Sequence, residues 1–310
     1  DVIFAQFEMA IATIEYAVEA GLPVAVLCHG PYGYTEVAEA GLAAAVDLFV
    51  FNSTFLQNLA NRNVHHVVVC PVVDFERVRA PEGLKRRYVT LVNLFSNKGP
   101  HVFYQLARVF SDRPFLGVEG AYGEQERQDL PNVELRPNTP DMGRVYGQTR
   151  VLLLPSAEES FGMVAVEAQS GGVPVVASDL PSLRESLGDG ALFVGREDIA
   201  GWVEALRRLD DPDFYNEMSA RARANAKRYR ADQDVAVLEA VLEAMVRRYR
   251  WRTRPSLQAL RTEREERARR IREIFQRASG RDPAFTELQA LLDGTHSLRE
   301  LETVIPGLGG

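Results

Sequence analysis

Short apolar runs alternate with helical patterns from residue 2 to about residue 230, and most of these runs are apolar on both faces. Strands buried on both faces belong to parallel sheets, whose crossover helices cover them above and below. The runs at 2–5, 23–28, 48–51 and 67–69 are separated by helical patterns, among them 8–20, ended by Gly21, and 55–61, capped by Asn52-Ser53-Thr54. The polar, charged stretch at 80–87 reads as a linker. A second alternation follows, with strands at 88–93, 115–118, 133–136, 151–154, 173–177 and 191–194. Its helices are expected at 99–110, 141–148, 161–170, 183–187, 199–209 and 213–228. Two doubly wound parallel-sheet units in tandem are the economical α/β reading. The expected domains are 1–80, 81–228, a helix at 229–250 that returns to the first unit, and a helical extension at 251–310.

The 310 residues suffice for two ordinary domains, and 46% hydrophobic with 25% charged residues is a globular balance. Residues 9–28 form the best membrane-span candidate, but Glu15, Glu19 and Pro23 break it. Two cysteines, Cys28 and Cys70, make no disulfide framework. The net charge of −7 argues against nucleic acid as a partner. That charge is uneven: 246–278 holds twelve Arg, four Glu and no Lys, a local +8 that leaves −15 elsewhere. A basic helix over 261–279 follows a boundary near Trp251, with shorter helices over 282–294 and 297–304. The basic region reads either as a docking element for a protein partner or an anionic membrane, or as a solvated appendage or dimer element. The chain opens on Asp1 directly in a strand pattern, so further sequence is expected upstream. No leader pattern is evident, and the expected location is cytoplasmic or peripheral to a membrane.

The segment from Pro155 to Glu167 concentrates the chemistry. A buried strand ends at Pro155, a polar loop follows, and a helix is expected to start near Phe161. Ligands of open α/β sheets sit at the carboxyl ends of strands, and helix N–H groups there suit a phosphate. Glu159 stands in the loop and Glu167 in the helix, two carboxylates suited to accept from sugar hydroxyls. The alternative for the pair is a charge complementing the helix dipole and a solvated helical residue.

Glu159 and Glu167, with seven residues between them, resemble the E-x7-E motif of retaining glycosyltransferases of family 4. Leu154-Pro155-Ser156, Glu159-Ser160-Phe161-Gly162, Glu167-Ala168 and the run from Gly172 to Ser178 extend the resemblance, which covers residues 1 to about 249. It implies the GT-B fold, two facing Rossmann-like domains, and a hexosyltransferase-like bacterial enzyme. By that resemblance Glu159 holds hydroxyls of the transferred sugar and Glu167 those of the ribose. Backbone at Ser160, Phe161, Gly162, Met163 and Val164 contacts sugar and diphosphate. Lys98, followed by Gly99, binds the diphosphate, and His29 contacts the transferred sugar. Where the family carries Gly and Arg, this chain has Val92 and Asn93, so a second diphosphate cation is missing from its usual place. Asn93 retains a hydrogen-bonding side chain without charge. Glu119 and Gly120 occupy a turn beside the nucleotide, and Arg136 either frames the base or is a surface arginine. Tyr32 and Tyr34 either line an acceptor site or pack their loop. The family's Gly-rich opening loop has no counterpart here.

The resemblance implies transfer from a UDP-, GDP- or dTDP-sugar, with retention and without a metal, to an acceptor that the sequence does not identify. The nucleotide sugar is a co-substrate, and no cofactor is expected. The competing reading is a catalytically weak nucleotide-sugar-binding subunit that works through a partner protein.

Overall fold

A computed structural model describes residues 1–30, 32–60, 64–229, 231–249, 256–284, 288, 291 and 292. The chain divides into two compact units, Asp1–Val69 with Val235–Gly310, and Cys70–Asp234. The expected helices over 282–294 and 297–304, and the boundary at Trp251, fall largely outside the described residues.

In the first unit β1 (Ile3–Gln6), β2 (Val24–Cys28), β3 (Leu48–Phe51) and β4 (His66–Val68) form a parallel sheet in that order. Helices α1 (Ala10–Glu19), α2 (Tyr32–Glu39) and α3 (Thr54–Leu59) make the crossovers. The Ser53 hydroxyl caps α3 by accepting from the Leu56 N–H at 3.3 Å. The loop expected at 29–34 is mostly helix: Tyr34 lies inside α2, is 4% exposed, and packs on Phe49 and Phe51. That ring is therefore core, not part of an acceptor site.

The second unit holds β5 (Tyr88–Val92), α4 (Pro100–Val109), β6 (Phe115–Val118), β7 (Val133–Arg136), α5 (Met142–Gln148), β8 (Thr149–Leu154), α6 (Met163–Ser170), β9 (Val175–Ser178), α7 (Pro181–Leu187), β10 (Ala191–Val194), α8 (Ile199–Arg208) and α9 (Pro212–Ala226). Its six parallel strands lie in the order β10-β9-β8-β5-β6-β7. The chain starts at the centre, winds one way through β6 and β7, then returns to β8 and winds the other way. β5 and β8 are therefore the topological switch point, where open α/β sheets bind ligands.

Residues 70–80 belong to this second unit, so the boundary falls eleven residues before the expected one. The reason is apolar: Val73 and Val78 are buried in one cluster with Tyr146, Leu152 and Phe161. The charged stretch after them is a surface strap, held where the Arg86 guanidinium donates to the Gly171 and Gly172 carbonyls.

Helix α10 (Ala231–Tyr249) returns to the first unit, where Met245 packs with Ala25, Leu48 and Val50. Helix α11 (Leu257–Ser279) also lies on that unit, with Leu260 in the core cluster of Ile14, Ala17 and Val37. Arg261 pairs with Glu15 at 2.9 Å. Part of the basic run thus braces its own unit, and Arg269–Glu273 and Arg270–Glu266 are paired one turn apart along the helix. Among the described residues no helix is long and apolar enough to cross a membrane.

Candidate functional site

β5 ends at Val92, and the chain then turns sharply through Asn93, whose φ of 71° lies in the left-handed region. A 3₁₀ turn, Ser96–Lys98, leads to Gly99, also left-handed at φ 79°, and Pro100 opens α4. On the adjacent strand, β8 ends at Leu154 and runs into Pro155. The two loops are joined where the Ala157 N–H donates to the Asn97 carbonyl at 2.7 Å. A Cβ on Gly99 would stand 2.3 Å from the Pro155 carbonyl oxygen. Glycine here answers both the positive φ and the close approach. Gly99→Ala should therefore cost roughly 1–3 kcal/mol from backbone strain alone and displace Lys98. Denaturant unfolding combined with nucleotide titration checks it; wild-type behaviour in both would refute it.

The loops bring two charges together. Lys98 Nζ donates to Glu159 Oε1 at 2.6 Å, with the side chains 16% and 14% exposed. The Ser156 hydroxyl donates to the same oxygen at 3.0 Å, and the Ser182 hydroxyl to the Glu159 backbone carbonyl at 2.5 Å. The positions of both members are thus set by neighbours as well as by each other.

Helix α6 starts at Met163, two residues later than expected, because Gly162 adopts φ 80° and a Cβ there would meet Leu183 at 2.7 Å. The unpaired helix donors accordingly begin at the Met163 and Val164 N–H groups. Phe161 is 3% exposed and packs edge-on against Tyr229, so its ring is core. Glu167, four residues after Met163, accepts from the Tyr146 hydroxyl at 2.6 Å. Burial pushes the Glu167 carboxyl up from its usual range, while the Tyr146 hydrogen bond and the Arg77 charge act the other way. Burial, then the Glu167 charge, pushes the Tyr146 phenol well above its ordinary value.

A group whose pKa is raised by folding adds stability below its unfolded pKa and loses that contribution as pH rises through the folded one. The stability of the wild type relative to Glu167→Gln should therefore fall as pH climbs from about 4.5, the ordinary glutamate value, through the raised value. Thermal unfolding of both proteins across pH 4–8 measures it; a pH-independent difference would count against the buried carboxyl.

Asn93 is built into the loops. Its Oδ1 accepts from the Phe95 N–H at 3.1 Å and from Gln125 Nε2 at 3.2 Å. Gln125 Oε1 in turn accepts from the Leu94 N–H at 2.8 Å and the Gly120 N–H at 2.7 Å. Gly120 packs directly on the Asn93 side chain, where a Cβ would stand 2.3 Å away. Glu119 accepts from Arg127 Nε at 2.5 Å, which holds its carboxyl below the usual range.

Arg136 does not join these groups. Its guanidinium donates to Glu134 at 2.6 Å and Gln148 at 2.7 Å and lies over the Tyr88 ring at 5.5 Å. Gln148 and Tyr88 mark the amino-terminal edge of β8 and β5, the opposite end of the sheet from Lys98. Glu134, two residues earlier on the same face of β7, turns the side chain that way.

In the first unit His29 follows β2. Its Nε2 meets Gln6 Oε1 at 3.2 Å, and its ring stacks on Phe7 at 5.1 Å. Desolvation lowers its pKa, which favours the neutral imidazole at pH 7. Phe7 is 63% exposed and left-handed at φ 51°. Sequence reasoning singled out neither Phe7 nor Gln125, Tyr146 and Ser182, because their roles arise from contacts between separate loops and elements.

Residues 115–211 match the family model described as Glycosyl transferases group 1. The D-inositol 3-phosphate glycosyltransferase of Corynebacterium kroppenstedtii is 36% identical over 197 residues, covering 60% of this chain and 42% of that protein. The O-antigen chain mannosyltransferase RfbU of Salmonella typhimurium is 29% identical over 129 residues, 38% of this chain and 36% of its own. The chain spans half or less of the length of the curated relatives it matches. Among solved structures, Anabaena Alr3699/HepE in complex with UDP and glucose superposes with a TM-score of 0.68 at 18% identity, covering 78% of this chain and 77% of that one. Sucrose-phosphate synthase from Thermosynechococcus elongatus superposes with a TM-score of 0.62 at 15% identity, over 79% and 73%. The fold is thus α/β of the GT-B class, and its second unit carries a segment, residues 115–211, of the Glycosyl transferases group 1 type.

Proposed function

We propose that the protein is a glycosyltransferase that moves a sugar from a nucleoside-diphosphate donor to an acceptor hydroxyl with retention at the anomeric carbon. The observation that carries this reading is the Lys98–Glu159 pair at the switch point. A leaving diphosphate gains negative charge in the transition state, and a fixed cation aimed at it lowers the barrier. Lys98 takes that role, and the Met163 and Val164 N–H groups that open α6 are further donors suited to the diphosphate. Glu159 accepts from hydroxyls of the transferred sugar, and Glu167 from the ribose. In the structure the two charges satisfy each other, so neither is stranded in its loop. The acceptor oxygen bonds to the anomeric carbon as the bond to phosphate breaks, and the acceptor proton passes to the departing phosphate oxygen. The D-inositol 3-phosphate glycosyltransferases and the O-antigen mannosyltransferase among the relatives point an acceptor screen toward cyclitol phosphates and glycan chains.

Thermal unfolding and calorimetry with UDP, GDP and dTDP test the donor site, with Glu167→Ala alongside. At a hundred times its Kd a ligand stabilises by about 2.7 kcal/mol. One nucleotide should give that stabilisation, and Glu167→Ala should remove most of it. A folded chain that responds to none of the three overturns the reading. The anomeric configuration of a product, read by NMR, tests retention.

A further inference from the structure

Arg196 follows the edge strand β10, far in sequence from both loops of the site. Its Nε donates to the Pro155 carbonyl at 3.0 Å and its Nη2 to the Ser96 carbonyl at 3.2 Å. Ser96 opens the turn that carries Lys98, and Pro155 begins the loop that carries Glu159. One planar guanidinium therefore clips together the backbones beneath both charges. Its third nitrogen, Nη1, donates to Glu197 at 2.9 Å, and the other Glu197 oxygen meets His101 Nε2 at 3.3 Å in the first turn of α4. The clip is anchored from below, because Trp202 Nε1 donates to the Gly195 and Arg196 carbonyls at 3.0 and 3.2 Å. A lysine has no fork with which to hold two carbonyls in one plane.

We infer that Arg196 is a positioning residue for the donor site: it sets the spacing of Lys98 and Glu159, and through Lys98 the affinity for a nucleoside diphosphate. This rests on the donor-site reading above. Catalytic geometry is sensitive at this scale, since a shift of about 1 Å remote from the chemistry costs about 10²-fold. Arg196 itself contacts carbonyls and Glu197, so its effect passes through the loops.

The test is a double-mutant cycle on nucleoside-diphosphate affinity by calorimetry, using UDP, GDP and dTDP with the wild type, Lys98→Ala, Arg196→Ala and the double variant. Arg196→Ala should weaken binding about tenfold, with a melting temperature near wild type. In the Lys98→Ala background the same change should cost less than about twofold, because there is no ammonium left to position. Arg196→Lys, which keeps the charge and at most one carbonyl contact, should lie between, about threefold weaker than wild type. Wild-type affinity in Arg196→Ala, or effects that multiply fully in the double variant, would overturn the inference while leaving the donor site standing. Absence of nucleotide binding by the folded wild type would overturn both. If Arg196→Ala does not fold, Arg196→Lys decides in both backgrounds by the same criteria: wild-type affinity, or equal losses with and without Lys98, overturns the inference.

Discussion

Lys98→Ala should lower turnover of the nucleotide sugar by about 10²–10³-fold, the usual loss when one preorganised electrostatic group is removed from a developing oxyanion. The expectation is at the upper end here. Asn93, where the sequence resemblance leads one to expect a second cation, is uncharged, and its Oδ1 is committed to Phe95 and Gln125. On the proposed reading Lys98 is then the side-chain cation that faces the leaving group. The variant also strands Glu159, which is 14% exposed and keeps the Ser156 hydroxyl. Stability should accordingly fall by about 1–3 kcal/mol. A double variant, Lys98→Ala with Glu159→Gln, separates the two effects: stability should recover while turnover stays low. Steady-state kinetics and denaturant unfolding on the three proteins provide the measurement, and near-wild-type turnover in Lys98→Ala would remove Lys98 from the mechanism.

Trp202→Ala should be the most destabilising single change among those considered, at about 3–5 kcal/mol. The ring is fully buried on α8 in the core cluster of Phe103, Phe115 and Leu206. Its loss opens a large cavity and leaves the Gly195 and Arg196 carbonyls without their indole donor. Trp202→Phe retains most of the volume but not the N–H, and should cost about 1–2 kcal/mol. The difference between the two variants isolates packing from the hydrogen bonds. A cost below 1 kcal/mol for Trp202→Ala would mean the core relaxes around the gap.

Much of the fold was readable because burial on both faces leaves an unbroken apolar signature. Val151 to Leu154 could hardly be anything but a central strand, and they are. The errors lie where a backbone conformation or a long-range partner decides. The helical pattern points to a start near Phe161, yet the left-handed turn at Gly162 moves the start of α6 to Met163. The unit boundary was hidden because the apolar residues from Cys70 to Val78 follow neither a strand nor a helix period, although Val73 and Val78 are buried in the second unit. Arg136 was legible in principle, since Glu134 stands two residues before it on one face of the strand. Glu159 and Glu167 stand out from the strand–loop–helix pattern and Lys98 through the resemblance, and the structure places Lys98 and Glu159 in contact. Arg196 had no local signal, because both carbonyls it holds come from loops distant in the chain.

The strand order of the second unit also governs how the chain must be made. β5 is flanked by β6, which follows soon after it, and by β8, whose Thr149 pairs with Tyr88 only when roughly sixty more residues exist. At ribosomal speeds of about 5–20 residues per second, one side of Val89-Thr90-Leu91 stays open for roughly 3–12 seconds. An apolar strand with an open edge is a template for other chains. Nascent molecules that stop short of Leu154 should therefore be more aggregation-prone than those extending beyond Val194, where β10 covers β9, so a vulnerable period in this protein's life lies in its synthesis.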